Sequence, residues 1–312
     1  MMGRRGILAA GAAAATLGLM VFATRSRSVP VPPPLDPPEG PLNVFHLGHS
    51  LVGPDMPHML AQLAPEGHKY NSQLGSGTSL RAHWEPGEEI LDFAAANHLP
   101  AYRDAKEAIG SGEYNAVVLT EMVELRDAIK YFDAAKYLGE WGDLARDTSP
   151  DTRIFLYETW HWIDDPQGWL NRIDADLEAL WTGKLLSRDS RRNPDHPVYL
   201  IPGGQAMAAV VRAGARGEVE GIAKPADLFG RAPDGSKDPI HFNDLGAYVV
   251  ALAHYAVLYQ RSPFGLPHRL TRADGSPAVT FSPEAAARVQ QIVWDTVRAL
   301  PRTGLTAAEA AG

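Results

Sequence analysis

Leu42-Asn43-Val44-Phe45-His46-Leu47-Gly48-His49-Ser50-Leu51 is the stretch on which the reading of this chain turns. The apolar run over 42–47 is too short for a helix, is bounded by glycine, and reads as a buried strand that stops at Gly48. A serine then follows directly on the strand. Outward from this point, short apolar runs alternate with longer amphipathic ones. The pattern predicts a helix over 57–63 with Pro57 in its first turn, a strand over 70–74 ended by Gly75-Ser76-Gly77, a helix over 99–111 and a strand over 116–120. It continues with a helix over 134–145, a strand over 153–157, a helix over 169–186, and a strand over 198–201 before Pro202-Gly203-Gly204. A long helix over 244–260 and a last one over 283–300 complete it. Alternation of this kind specifies an α/β fold, a parallel sheet of about five strands with helices on both faces.

In such a sheet ligands bind beyond the carboxyl ends of the strands, so the residues just after each apolar run are the ones to inspect. Ser50, two residues after Gly48, can present its hydroxyl and its own N–H to one spot. After the second strand, Gly75-Ser76-Gly77-Thr78-Ser79 offers backbone N–H groups at close range. Near the C-terminus lies Lys237-Asp238-Pro239-Ile240-His241-Phe242-Asn243-Asp244-Leu245-Gly246-Ala247-Tyr248. Pro239 keeps Asp238 and His241 out of one regular helix, which predicts a loop carrying both, with Asn243 or Asp244 capping the helix that follows. A carboxylate three residues before a histidine can accept the imidazole Nδ1–H and leave Nε2 free to take a proton from a serine.

These residues resemble the SGNH (GDSL-like) hydrolase and esterase superfamily. The likeness is carried by Gly48-His49-Ser50, by the glycine loop at 75–77, and by Asp238-Pro239-Ile240-His241 with Gly246-Ala247-Tyr248 in the helix behind it, and it spans 42 to about 267. It implies a three-layer α/β/α sandwich with a flavodoxin-like parallel sheet. It also implies Ser50 as nucleophile, His241 as general base and then acid, Asp238 as its orienter, and the N–H groups of Ser50 and Gly77 or Gly75 as oxyanion donors. The chain departs from the pattern at two places. His49 stands where Asp or Asn is usual, and Thr120-Glu121-Met122-Val123-Glu124 stands where the family's third block supplies an asparagine donor. An ionised glutamate only accepts, so Glu121 or Glu124 fills that place only when protonated.

The fourth predicted strand runs into Tyr157-Glu158-Thr159-Trp160-His161-Trp162, with Trp84 and Trp169 elsewhere. Indole faces suit either a sugar platform at the crevice rim or the seams between helices and sheet. On the first alternative Trp160, His161, Trp84 and His49 are candidate substrate contacts. The acids Asp164, Asp165, Asp174, Asp176 and Glu178 read as a solvated face.

The 312 residues carry 29 Lys plus Arg against 37 Asp plus Glu, a net charge of −8, which disfavours a nucleic-acid or polybasic membrane-surface partner. The absence of Cys excludes disulfides, thiolate metal sites and cysteine nucleophiles. No His-Glu-x-x-His pattern and no Gly-x-Gly-x-x-Gly after the first strand occur, so neither a metal nor a nicotinamide cofactor is expected.

Arg4-Arg5 precede an uncharged small-residue run over 6–23, which reads as an export signal, of twin-arginine or ordinary Sec type, or as an uncleaved anchor just long enough for a bilayer core of ~30 Å. The expected layout is a signal or anchor over 1–28, a proline-rich linker over 29–40, the hydrolase-like domain over 41–302 and a tail over 303–312. Membrane contact is expected only through an uncleaved N-terminal segment. The expected function is that of an exported, cofactor-free serine hydrolase of carboxylic esters, with acetyl groups on carbohydrate as its substrates. An O-acyltransferase using the same residues and a catalytically weakened envelope scaffold are its rivals.

Overall fold

Val44, Phe45 and Leu47 are fully buried because β1 (Asn43–His49) has a partner strand on each side and helices above and below. The computed structural model describes residues 28–232 and 234–305. In order come α1 (Asp55–Leu63), β2 (Lys69–Gly75), α2 (Leu80–Trp84), α3 (Phe93–Ala96), α4 (Ala105–Gly110), β3 (Ala116–Leu119), α5 (Leu125–Tyr131) and α6 (Ala134–Thr148). There follow β4 (Arg153–Glu158), α7 (Trp169–Asp176), α8 (Ser187–Arg192), β5 (Tyr199–Pro202) and α9 (Gly203–Ala215). A small ribbon of β6 (Phe229–Arg231) and β7 (Lys237–Phe242) leads to α10 (Asp244–Tyr259) and α11 (Pro283–Ala299).

The main sheet is parallel throughout, in the order β2-β1-β3-β4-β5. Its strands alternate between two cores, as pleating demands. Val44, Val118, Phe155 and Ile201 face the core shared with α1, α9, α10 and α11. Phe45, Val117, Leu156 and Leu200 face the core shared with α4 and α6. This is the three-layer α/β/α sandwich with a five-stranded, flavodoxin-like sheet. The chain reverses its direction of sheet growth between β1 and β3, which makes the end of β1 the switch point where such sheets bind ligands.

α10 is buried from Gly246 to Tyr259 because it runs between α1, α9 and α11. Its cap is Asn243, whose Oδ1 accepts from the N–H groups of Leu245 (3.0 Å) and Gly246 (3.1 Å). Gly246 is glycine for a steric reason: a Cβ there would lie 2.6 Å from both the Leu228 carbonyl oxygen and the Phe242 Cβ. The helix therefore starts tight against the ribbon that carries Asp238 and His241.

Several boundaries differ from the expectation. Asp238 and His241 lie in β7, paired antiparallel with β6, and not in a loop. A two-stranded ribbon tolerates Pro239 because each strand has an open edge, where no N–H need be given. The helix expected over 99–111 is only α4, since Pro100 holds Leu99 out of helical geometry and Asp104 caps the helix at Glu107. Residues 101–103 instead pair with the edge of β2, the Ser72 N–H donating to Ala101 O (2.8 Å) and the Arg103 N–H to Ser72 O (3.2 Å). The helix expected over 169–186 is α7 continued by a wider, π-type turn over Leu177–Leu186 and then by α8. α9 starts at Gly203, where only a strand exit was legible.

The export segment expected over 1–28 lies outside the described residues but for Ser28. No described helix is long and apolar enough to cross a membrane. The proline-rich stretch is docked on the domain, not free of it. Arg302 donates to the Pro30 and Val29 carbonyls (both 2.8 Å), Tyr199 Oη to Pro33 O (3.0 Å), and the Leu35 N–H to Gly304 O (2.7 Å). The expected tail likewise begins as part of the domain, with Thr303 buried and bonded to the Val297 and Leu300 carbonyls.

Candidate active site

Ser50 sits in the turn immediately after β1, closed by the Val52 N–H donating to His49 O (2.9 Å). Its Oγ lies 2.8 Å from His241 Nε2, and His241 Nδ1 lies 2.9 Å from Asp238 Oδ2. Asp238 Oδ1 accepts from the N–H groups of His241 (2.8 Å) and Ile240 (2.9 Å). Burial alone would push this carboxyl up; those N–H groups and the imidazole outweigh it and hold Asp238 below its ordinary value. An ionised Asp238 accepts the Nδ1 proton, which leaves Nε2 as the acceptor facing Ser50.

The turn is braced on both sides by neutral imidazoles. His49 is only 1% exposed; its Nε2 donates to Glu121 O (2.9 Å) and its Nδ1 accepts from the Leu51 N–H (3.3 Å). His83, in α2, donates from Nε2 to Gly48 O (2.8 Å) and accepts at Nδ1 from Gln73 (3.0 Å). Burial lowers both rings to about 4, so neither carries charge near neutrality. His49 is therefore a brace, not a substrate contact. Gly48 allows close approach to the neighbouring strand exit, since a Cβ there would meet Thr120 Cβ at 2.6 Å.

The ribbon is held by the exit of β4. Trp160 Nε1 donates to Ile240 O (2.9 Å) and the Ile163 N–H to Pro239 O (2.8 Å), so both residues between Asp238 and His241 are fastened. Trp160 is 1% exposed among Phe229, Phe242 and Tyr157, which removes it from the expected sugar platform. His161 is 3% exposed, its Nε2 3.0 Å from Asp176 Oδ2. Trp84 packs edge-on against Trp141 in the core on the other face of the sheet. Trp162, 37% exposed, is the most open of these aromatic residues, and Trp84 is half-buried.

Arg172, 3% exposed, organises what lies beneath. It bonds Glu124 (2.9 Å to each oxygen), Asp165 (2.7 Å) and Asp176 (2.8 Å). Burial works against the charge on Asp176, but His161 and Arg172 win and hold its carboxyl at about 2. Asp165 and Asp176 are thus inward ion partners, whereas Asp164, Asp174 and Glu178 form the solvated face expected of the group.

Glu124, engaged by Arg172 and by the Arg126 N–H, is an acceptor and no oxyanion donor. Glu121 Oε1 accepts from the N–H groups of Met122 (2.8 Å) and Leu80 (3.3 Å), so its carboxyl faces the start of α2. Burial pushes it up to about 7. Glu124 does not take the place of the missing asparagine, and the second oxygen of Glu121, Oε2, is buried and bonds none of the described residues.

The Ser50 and Gly77 N–H groups have no hydrogen-bond partner among the described residues, while that of Ser76 is spent on Leu91 O (2.9 Å). Gly75 ends β2 and, with Ser50, lines a cavity of about 320 Å3. Among the described residues no group of three or more histidines and acids is placed to hold a metal ion. His83 and the fastening role of Trp160 were not legible in the sequence, because each acts on a backbone carbonyl brought near only by the fold.

No family model matches the chain, and no curated protein does. Among solved structures it is similar to a DUF4886 family protein from Bacteroides uniformis, with 16% identity, a TM-score of 0.51, and coverage of 81% of this chain and 93% of that one. It also aligns with a chain from Parabacteroides merdae described as a GDSL-like lipase, with 13% identity, a TM-score of 0.40, and coverage of 75% and 99%. A third is a carbohydrate esterase family 2 enzyme with a carbohydrate-binding domain from Corynascus thermopiles (Myceliophthora fergusii), with 12% identity, a TM-score of 0.32, and coverage of 54% and 58%. At 16% identity the likeness to the first is one of fold alone, the α/β fold with a five-stranded parallel sheet.

Proposed function

We propose that this protein is a serine hydrolase that cleaves carboxylic esters through an acyl-enzyme. The observation that carries the reading is the hydrogen-bonded chain from Ser50 Oγ through His241 to Asp238 at the sheet's switch point. Ser50 Oγ attacks the ester carbonyl as His241 Nε2 takes its proton. The imidazolium, steadied by Asp238, gives that proton to the leaving alkoxide, and a water activated by the same nitrogen then releases the acid.

The Ser50 and Gly77 N–H groups are the donors for the developing oxyanion. With no third-block donor the barrier is higher by about 3 kcal/mol than in a site holding all three, so the expected enzyme is slow. The small-residue run over 6–23 supports a site of action outside the cytoplasm. The sugar preference expected from an aromatic rim loses that support, because Trp160, His161 and Trp84 are packed inward or elsewhere. Water or a sugar hydroxyl as the acyl acceptor is distinguished by acid release measured with and without added saccharide.

The test is hydrolysis of 4-nitrophenyl butyrate by Ser50→Ala and Asp238→Asn. Ser50→Ala is expected to bring turnover to the buffer background. Asp238→Asn is expected to lower kcat by on the order of 10³ or more, because an amide facing Nδ1 stabilises the wrong tautomer. Undiminished turnover in Ser50→Ala removes the reading and leaves the envelope scaffold in its place.

A further inference from the structure

The cavity beside Ser50 is bounded by the start of α1 on one side and by the segment that wraps the edge of β2 on the other. Away from the hydroxyl its wall is apolar, with Pro54, Leu74, Ala96 and Leu99 as principal side chains. Those same four residues also line a second, narrower cavity that reaches Tyr70 and Tyr102. The second space is only about 20 Å3, and the first, a half-open channel that begins at Ser50, is the one with room for a chain. Its ionisable members are Asp92 and His98, both on the exposed side of the wrapping segment, and Asp92 is already bonded to Ser76 Oγ (2.6 Å).

The wall is built into the fold. Asn97 Oδ1 accepts from the Leu74 N–H (2.9 Å) while its Nδ2 donates to Leu74 O (2.7 Å), so one side chain satisfies an edge-strand residue as another strand would. Ser76 N–H to Leu91 O (2.9 Å) and Ser72 N–H to Ala101 O (2.8 Å) fix the segment on either side of that clamp. A half-open channel whose inner wall is apolar suits an unbranched aliphatic chain. A cavity of about 150 Å3 suffices for benzene, with its six carbons. The space of about 320 Å3 beside Ser50, part of it open to solvent, therefore exceeds what an acetyl group fills.

We propose that this channel holds the acyl chain, and that the preferred substrates are esters of linear aliphatic acids of roughly four to eight carbons, in place of acetate. The proposal rests on the hydrolase reading and adds the identity of the acid. Ala96 and Leu99 then set the chain length.

The experiment is a series of 4-nitrophenyl esters from acetate to octanoate with the full chain and with Ala96→Phe. Each buried methylene is worth up to about fourfold in kcat/KM, so hexanoate is expected to exceed acetate by tenfold or more in the unsubstituted protein. Ala96→Phe places a ring in the channel and is expected to cut the hexanoate-to-acetate ratio at least tenfold. Labelling of Ser50 by a small fluorophosphonate reports whether that variant is folded and competent, and the unsubstituted series stands without it. Acetate preferred over hexanoate, or an unchanged ratio in labelled Ala96→Phe, overturns the acyl channel and leaves the hydrolase intact. No turnover of any ester together with an unlabelled Ser50 overturns both.

Discussion

Trp160 shows how little of a residue's work lies in its type. Its indole is buried, and its Nε1–H reaches the Ile240 carbonyl in the strand that carries Asp238 and His241. Trp160→Phe removes that donor and some packing, at a cost of about 1 kcal/mol for the bond and more for the space left behind. Because Ile240 lies between the carboxylate and the imidazole, the variant is expected to lose several-fold in kcat at near-constant KM, alongside a lower Tm. A lower Tm with kcat unchanged would make Trp160 a core residue only. Ser50 was legible because it sits at a strand exit, and Asp238 and His241 because their three-residue spacing, shortly before a capped helix, fixes the carboxylate against the ring. Trp160, His161 and His49 were misassigned because a strand exit with aromatic or imidazole residues fits a solvent-facing rim and a packed brace equally well. Only burial separates the two.

Among elements, the strands were the easiest to place, since runs such as Val117-Val118-Leu119 and Ile154-Phe155-Leu156 are short, apolar and bounded. The ribbon of β6 and β7 was hidden by Pro239, which argues against a central strand but not against an open edge. The wrap of 91–103 around β2 was hidden because it depends on side-chain clamps from Asn97 and Asp92, not on periodicity. The exit of β4 and α7 are joined by Arg172, whose partners lie in both and in the cap of α5. Arg172→Met leaves Glu124 and Asp165 without their cation and Asp176 with Arg126 alone, and is expected to cost about 3–5 kcal/mol in urea unfolding. It also loosens the loop that fastens β7, so kcat falls even in the folded protein. A loss within about 0.5 kcal/mol would show the cluster to be slack.

Across the whole molecule, buried ionisable groups pull stability in opposite directions with pH. Burial lowers His49, His83 and His254 to about 4, below the ordinary histidine value of 6.5, so the unfolded chain binds more protons between those limits and stability is lost as pH falls through them. Burial raises Glu121 to about 7 and Glu158 to about 8 from 4.5, so the folded chain binds more protons there and stability is lost as pH rises. Tm is therefore expected to peak at about pH 6 and decline on both sides. Glu158→Gln is expected to flatten the alkaline decline, with a higher Tm than the parent at pH 9 (about one unit above the raised carboxyl) and an unchanged acid limb. A parent protein equally stable across that alkaline range contradicts this balance.

The central claim is that a serine after the first strand and a histidine in a distant ribbon act as one nucleophile. Reaction of the full chain with a fluorophosphonate, followed by peptide mass mapping and residual esterase activity, tests it most directly. The account predicts one adduct per chain, on Ser50, with activity lost in proportion to labelling and no adduct in His241→Asn. Full activity in protein labelled at Ser50, or an adduct elsewhere that tracks the loss of activity, would contradict it.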